Sequence, residues 1–111
     1  MLQKTYRLKK KEIERVFRKS RKYKGSFLNL RLSKNNLPVS RWSFIVPVAV
    51  SKYSSQRNFI KRSLREALRK KIKIIRPGFD GIILALPNAL GKDHLDIEKE
   101  IENLLVISGL K

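Results

Sequence analysis

Between Gln56 and Lys71 the chain reads Gln-Arg-Asn-Phe-Ile-Lys-Arg-Ser-Leu-Arg-Glu-Ala-Leu-Arg-Lys-Lys, keeping one apolar stripe under a heavy load of positive charge. At about 100° per residue along a helix, Ile60, Leu64, Ala67, Leu68 and Ile75 fall in one arc. Asn58, Lys61, Arg62, Arg65, Arg69 and Lys73 fall in the arc beside it. Such a helix has to bury its apolar arc against other elements, which leaves the basic arc at the surface, free to hold phosphates. From Arg57 to Arg76 nine cations meet a single acid, Glu66. Repulsion within the helix is therefore almost uncompensated, and a polyanionic partner would relieve it.

The rest of the composition describes a folded scaffold for that helix. An apolar fraction of 41% is ordinary for a globular chain, and 111 residues suffice for one core, so a single domain over 1–111 is expected. The net charge of +18 is unevenly spread: residues 1–79 hold 24 of the 27 Lys and Arg against only Glu12, Glu14 and Glu66, whereas residues 80–111 are net acidic. A basic body with an acidic C-terminal element implies one binding side and one that is not. The chain has no cysteine, which excludes a disulfide framework and a Cys-ligated zinc site. No apolar run approaches the roughly 20 residues of a membrane span, and Met1-Leu2-Gln3-Lys4 lacks a signal peptide's apolar core. A soluble cytoplasmic protein with no membrane partner is expected.

Along the chain, Ile13, Val16 and Phe17 recur at helical spacing within residues 8–20 and predict a first amphipathic helix. After Lys24-Gly25-Ser26, residues 27–32 alternate as a strand, with Leu28, Leu30 and Leu32 on one face and Phe27, Asn29 and Arg31 on the other. The turn formers of Ser33-Lys34-Asn35-Asn36-Leu37-Pro38 predict an irregular hairpin into a second strand from Trp42 to Val50, with Trp42, Phe44, Val46 and Val48 on one face. Pro47 puts that strand at an edge or bends it. Ser54 or Ser55 is the expected cap of the basic helix, which runs to about Ile75 before Arg76-Pro77-Gly78. Gly81 to Leu86 is continuously apolar, the pattern of a strand covered on both faces. Asp93 can cap a last helix that turns Ile97, Ile101, Leu104 and Leu105 inward. The resulting order is α-β-β-α-β-α.

Residues for catalysis are scarce. The single histidine, His94, reads as an exposed residue at a helix N-terminus, and Asp93, Asp96, Glu98, Glu100 and Glu102 read as a solvated helix face rather than a metal cage. There is no Gly-rich phosphate loop. No catalytic residue, no protein-bound metal or cofactor and no small-molecule substrate is expected, and binding is the function the residues support. RNA recognition stacks bases on aromatic rings while Lys and Arg hold the backbone. Trp42 and Phe44 read as core, whereas Phe27 borders a partly polar face with Asn29 and Arg31. Phe59 points nearly opposite the apolar arc of its helix, beside Ser63 and Glu66. Either it stacks on nucleic acid or the loop near Tyr53 covers it.

The element order and several motifs resemble the protein subunit of bacterial ribonuclease P. They are Arg7-Leu8, the Lys-rich first helix to Val16-Phe17, the Gly25-Ser26-Phe27 lead-in, Phe44-Ile45-Val46-Pro47 and above all Arg57-Asn58-Phe59-Ile60-Lys61-Arg62-Ser63-Leu64-Arg65-Glu66, which is similar to the family's RNR helix. The resemblance implies an α+β fold, a two-layer α/β sandwich with a central, mostly antiparallel four-stranded sheet and a left-handed βαβ crossover, against the usual right-handed rule. It also implies that the catalyst is an RNA using Mg²⁺, and that the protein assists 5′ maturation of precursor tRNA. On that template Lys52, Arg57, Asn58, Phe59, Lys61, Arg62, Arg65 and Arg69 would contact the catalytic RNA, while Phe17, Phe27 and Arg31 would line a cleft for the 5′ leader. Two departures from the pattern stand out: Phe59 stands where the motif usually has its second Arg, and Val48-Ala49 stand where the family has a basic pair. Lys52 and Lys61 could compensate for the lost charge, or a stacking contact could replace an ionic one. The alternative is a ribosomal or other structural RNA-binding protein of similar basic build.

Overall fold

The computed structural model describes residues 3–111. After a 3-10 turn at Lys4–Tyr6, helix α1 spans Lys10–Arg18. Its first turn is closed by Glu12, whose Oε1 accepts from the Lys9 backbone N–H at 2.6 Å, satisfying a donor that the helix start leaves free. Four strands follow the chain as β1 (Arg21–Lys24), β2 (Leu28–Lys34), β3 (Arg41–Ile45) and β4 (Phe79–Ala85), with helix α2 (Ser54–Lys71) between the last two. A second 3-10 turn at Pro87–Ala89 leads into α3 (His94–Ile107).

The strands form one sheet in the order β1-β2-β4-β3. β1/β2 and β2/β4 pair antiparallel, and β3/β4 pair parallel across the α2 crossover. The irregular hairpin expected between β2 and β3 is not formed, because β4 inserts between them. β4 is apolar on both faces, as its residues predict, and a central position covers both. The segment after β2 is organised by Asn35 instead: its Oδ1 accepts from Leu37 N–H at 2.8 Å and its Nδ2 donates to the Val39 carbonyl at 3.2 Å.

Three further expectations change. β3 ends at Ile45, so Trp42 and Val46 are buried while Val48 lies in the following turn at 66% exposed; Pro47 lacks an N–H for the ladder and its carbonyl accepts from Val50 N–H at 3.0 Å. β1 is an additional strand that the residue pattern did not predict. Its sequence Arg-Lys-Tyr-Lys shows no apolar alternation, only Tyr23 is half-buried, and the charges suit a sheet edge. Neither Ser54 nor Ser55 caps α2. Tyr53 holds the cap position without a side-chain bond, and Ser51 Oγ accepts from Tyr53 N–H at 3.1 Å.

The apolar side chains divide between the two faces of the sheet. Leu28, Leu30, Leu32, Trp42 and Ile83 meet Ile60, Leu64, Ala67 and Leu68 of α2 and Ile97, Ile101, Leu104 and Leu105 of α3 in the larger core. On the other face Val16 of α1 packs with Leu8 and Ile82, flanked by Ile13 and Ile45. α1 thus adds a thin layer opposite the two long helices. The Asp93–Asp96 box caps α3 as expected, Asp93 Oδ1 accepting from Asp96 N–H at 2.8 Å.

Two buried carboxylates lock these layers. Asp80, fully buried at the start of β4, accepts from Arg41 Nε at 2.9 Å and Nη2 at 2.8 Å, from Arg15 Nη2 at 3.0 Å and from Asn35 Nδ2 at 2.8 Å. Arg41 also pairs with Glu12 at 2.5 Å. Burial pushes the Asp80 carboxyl up, but the hydrogen bonds from Arg41, Asn35 and Arg15 outweigh it and hold the group below the usual aspartate range. Glu100 is likewise buried rather than part of the solvated face expected for the α3 acids. Its Oε2 accepts from the N–H groups of Phe27 at 2.7 Å and Leu28 at 3.2 Å, and Gly25 lies so close that a Cβ there would sit 2.5 Å from that oxygen.

Removing the Asp80 carboxylate should cost about 3–5 kcal/mol, because two arginines lose a buried partner. A lowered folded-state pKa means that this stability is complete above the ordinary aspartate range and is lost as pH falls through the folded value. Urea denaturation of Asp80→Asn should therefore show a lower midpoint at pH 7 and a flatter dependence than the parent as pH falls through and below the ordinary aspartate range. Glu100→Ala and Gly25→Ala should each cost about 1–3 kcal/mol, the first by orphaning two amides and the second by crowding. Because both act on one contact, the double variant should be more stable than the sum of the two losses predicts.

Candidate nucleic-acid interface

Helix α2 turns its charge outward in two unequal halves. In its C-terminal half, α3 supplies counter-charges: Lys70 lies 3.9 Å from Glu98, and Lys71 lies 3.1 Å from Glu102, which also pairs with Lys111. Hydrogen bonds from Lys111 and Lys71 hold the Glu102 carboxyl below its usual range. Arg69 is bound by Glu66 one turn earlier, Nη2 to Oε1 at 2.5 Å and Nε to Oε2 at 3.1 Å. The repulsion expected from the sequence is thus relieved here from within the fold.

The N-terminal half has no such relief. Ser55, Asn58, Lys61, Arg62 and Arg65 line one shallow depression along the helix, the N-terminal part of the expected basic arc, whereas Lys73 falls beyond the helix end. Among the described residues no acid pairs with Lys61, Arg62 or Arg65. Arg57 is turned back to the chain before the helix, its Nη1 donating to the Ser51 carbonyl at 2.8 Å. Lys52 is exposed in that same turn with its ammonium 5.3 Å from the centre of the Tyr53 ring. Lys52, Arg57 and the depression therefore share one end of the molecule, while Arg69 lies further along the helix with its charge offset by Glu66.

Phe59 is half-buried, and the ring set against it within the fold comes from α3 rather than from the loop near Tyr53. His94, at the start of α3, places its ring 4.7 Å from that of Phe59 at 48°. Ser63, one turn after Phe59, fixes the histidine: its Oγ lies 2.5 Å from His94 Nδ1 and donates to the Phe59 carbonyl at 3.0 Å. The sequence showed His94 only as an exposed helix-start residue, which it also is. The spacing of Phe59 and Ser63 at i and i+4 was the one local signal, but nothing local indicated a partner 31 residues away.

On the opposite side, α1 and β2 bring Phe17 and Arg31 together. The guanidinium of Arg31 sits 4.9 Å over the exposed Phe17 ring, and its Nη1 donates to the Phe17 carbonyl at 3.4 Å. Asn29, on the same face of β2, has a buried Oδ1 without a hydrogen-bond partner. Phe27 does not join them. It lies in the bend before β2 begins, its carbonyl accepts from Leu86 N–H at 2.9 Å, and its side chain is 6% exposed in the core beneath α2 and α3, with Lys92 5.3 Å from the ring. Strand alternation fails for Phe27 because the residue is outside the strand.

Among the described residues no three His, Asp or Glu side chains are grouped to hold a metal ion, and no helix is long and apolar enough to cross a membrane. The arrangement offers cations, a half-covered ring and hydrogen-bonding groups, which suit holding a polyanion.

Known proteins share both the sequence and the fold. A family model described as Ribonuclease P matches residues 2–108. The ribonuclease P protein component of Clostridium botulinum (strain Loch Maree / Type A3) is 33% identical over 103 residues, 92% of each chain. That of a Synechocystis strain is 32% identical over 111 residues, covering 98% of this chain and 90% of its own. Among solved structures, a mutant RNase P protein of Staphylococcus aureus superposes with a TM-score of 0.90 at 24% identity over 97% of this chain and 92% of its own. The Thermotoga maritima protein gives 0.80 at 23% over 89% and 94%. With the element order and the Arg57-Asn58 helix, these matches place the chain in the ribonuclease P family, as a protein component of that ribonucleoprotein endoribonuclease.

Proposed function

We propose that the N-terminal half of α2 binds the catalytic RNA of ribonuclease P, and that the face formed by α1 and β2 borders the 5′ leader of precursor tRNA. The observation that carries this reading is the uneven neutralisation of α2: Lys61, Arg62 and Arg65 have no acidic partner among the described residues, whereas Lys70 and Lys71 face Glu98 and Glu102. Lys52, Arg57, Asn58 and Phe59 extend the same surface, with Arg69 at its margin. Phe17 and Arg31 form the leader side; Phe27 is not carried into it. Mg²⁺ would be held by the RNA, which performs the hydrolysis of the 5′ leader, while the protein contributes affinity and charge neutralisation in the cytoplasm.

Cleavage of a precursor tRNA by the RNA subunit, assayed at low salt and low Mg²⁺ with and without the protein, tests the whole reading; an unchanged rate would refute it. The location of the surface has its own test. Arg62→Ala with Arg65→Ala should weaken RNA binding and reduce the slope of log affinity against log salt by about 0.7–0.9 for each phosphate contact removed. Lys70→Ala with Lys71→Ala, which removes cations already offset by α3, should change that slope much less. Equal effects of the two pairs would show that the RNA face is not confined to the N-terminal half.

A further inference from the structure

Beside the basic depression lies a second hollow of about 630 Å³, lined by Phe59, Arg62, Arg65, Glu66 and His94. A volume in the range of about 300–1,000 Å³ suits a ligand of small-molecule size. Resting on the RNA-binding reading above, we propose that this hollow receives a single unpaired nucleobase of the bound RNA, and that it favours bases carrying an exocyclic amino group.

Four features argue for a base in this place. The ring of Phe59 is only half-buried and is flanked by His94, and these are ring types on which unstacked RNA bases pile. The histidine is held: with the Ser63 hydroxyl hydrogen on the Phe59 carbonyl, Oγ is left to accept from His94 Nδ1–H, which fixes the ring beside Phe59. Arg62 and Arg65 line both this hollow and the neighbouring depression, so they can take the phosphates on either side of a nucleotide whose base has turned in. Glu66 is the fourth. A carboxylate would repel a phosphate, yet this one is fixed in the hollow by two hydrogen bonds from Arg69, which hold it ionised below its usual range. It suits an amino donor such as the cytosine N4 group and opposes the O4 carbonyl of uracil in the corresponding position. Ser63 acts only through His94 and is a positioning residue.

The probes are three RNA duplexes of otherwise identical sequence, carrying a bulged cytidine, a bulged uridine or no bulge, titrated with the full chain by fluorescence anisotropy. The parent should bind the cytidine bulge roughly 10-fold more tightly than the unbulged duplex, a size expected for one stacked base, and the uridine bulge should fall between. Phe59→Leu and His94→Gln should each remove most of that preference, measured as the ratio of bulged to unbulged affinity within each variant. His94 is at the surface, so its variant tests the hollow even where the Phe59 change disturbs α2. Equal binding of bulged and unbulged duplexes by the parent, or an undiminished ratio in both variants, would overturn the inference while leaving the RNA-binding reading intact. Equal affinity for the cytidine and uridine bulges would overturn the role given to Glu66. Failure to bind any duplex would count against both readings.

Discussion

Four separated parts of the chain converge on the carboxylate of Asp80: Arg15 of α1, Asn35 of the loop after β2, Arg41 of β3 and the start of β4 itself. A fully buried charge is tolerated only when its oxygens are matched by donors, and here Oδ1 and Oδ2 each accept two. The geometry of that match sets where α1 crosses the sheet and holds β3 beside β4. Glu12 completes the lock, because it both closes the first turn of α1 and pairs with Arg41. The placement of Phe17 over Arg31, and with it the whole second face of the protein, depends on this arrangement.

Glu100 does comparable work on the other side of the sheet. By accepting from the amides of Phe27 and Leu28 it fastens α3 to the beginning of β2, and Gly25 supplies the room. With α3 fixed, Glu98 and Glu102 come to rest near Lys70 and Lys71, and His94 comes to rest on Phe59. One helix therefore performs two electrostatic tasks. It quiets the C-terminal half of α2 and, among the described residues, brings no acid into an ion pair with Arg62 or Arg65, so the charge of the N-terminal half is not offset.

Much of this was readable in residue patterns, and the failures have identifiable physical causes. The α2 stripe, the doubly apolar β4 and the Asp93 cap are local signals of periodicity and hydrogen-bonding chemistry, and each appears near where the pattern puts it, although α2 ends at Lys71 and Ile75 is buried in the turns that follow. The fourth strand escaped because an edge strand of Arg-Lys-Tyr-Lys needs little apolar surface. Val48 was misplaced because Pro47 ends the ladder before it, and Phe27 because alternation has no meaning outside a strand. Glu100 looked like its solvated neighbours because the charge pattern of α3 does not reveal which acid meets backbone amides from a distant turn. Lys61, Arg62 and Arg65 were legible as a basic arc, but the lack of an acidic partner for them among the described residues was not.

By itself the sequence determined that a basic amphipathic helix had to dock on a largely apolar scaffold, and its motifs, the run from Arg57 to Glu66 above all, already resembled the family to which the chain belongs. These follow from the order of side chains along single elements, where periods of about 3.6 and 2 residues decide which face is buried. Tertiary structure alone decided which cations stay unpaired, what covers Phe59 and which acids are buried. Those outcomes depend on contacts spanning 28 residues from Lys70 to Glu98, 31 from Ser63 to His94 and 73 from Phe27 to Glu100. Charge and polarity act through space, so their effects are known only when the fold has brought such residues within a few ångströms of each other.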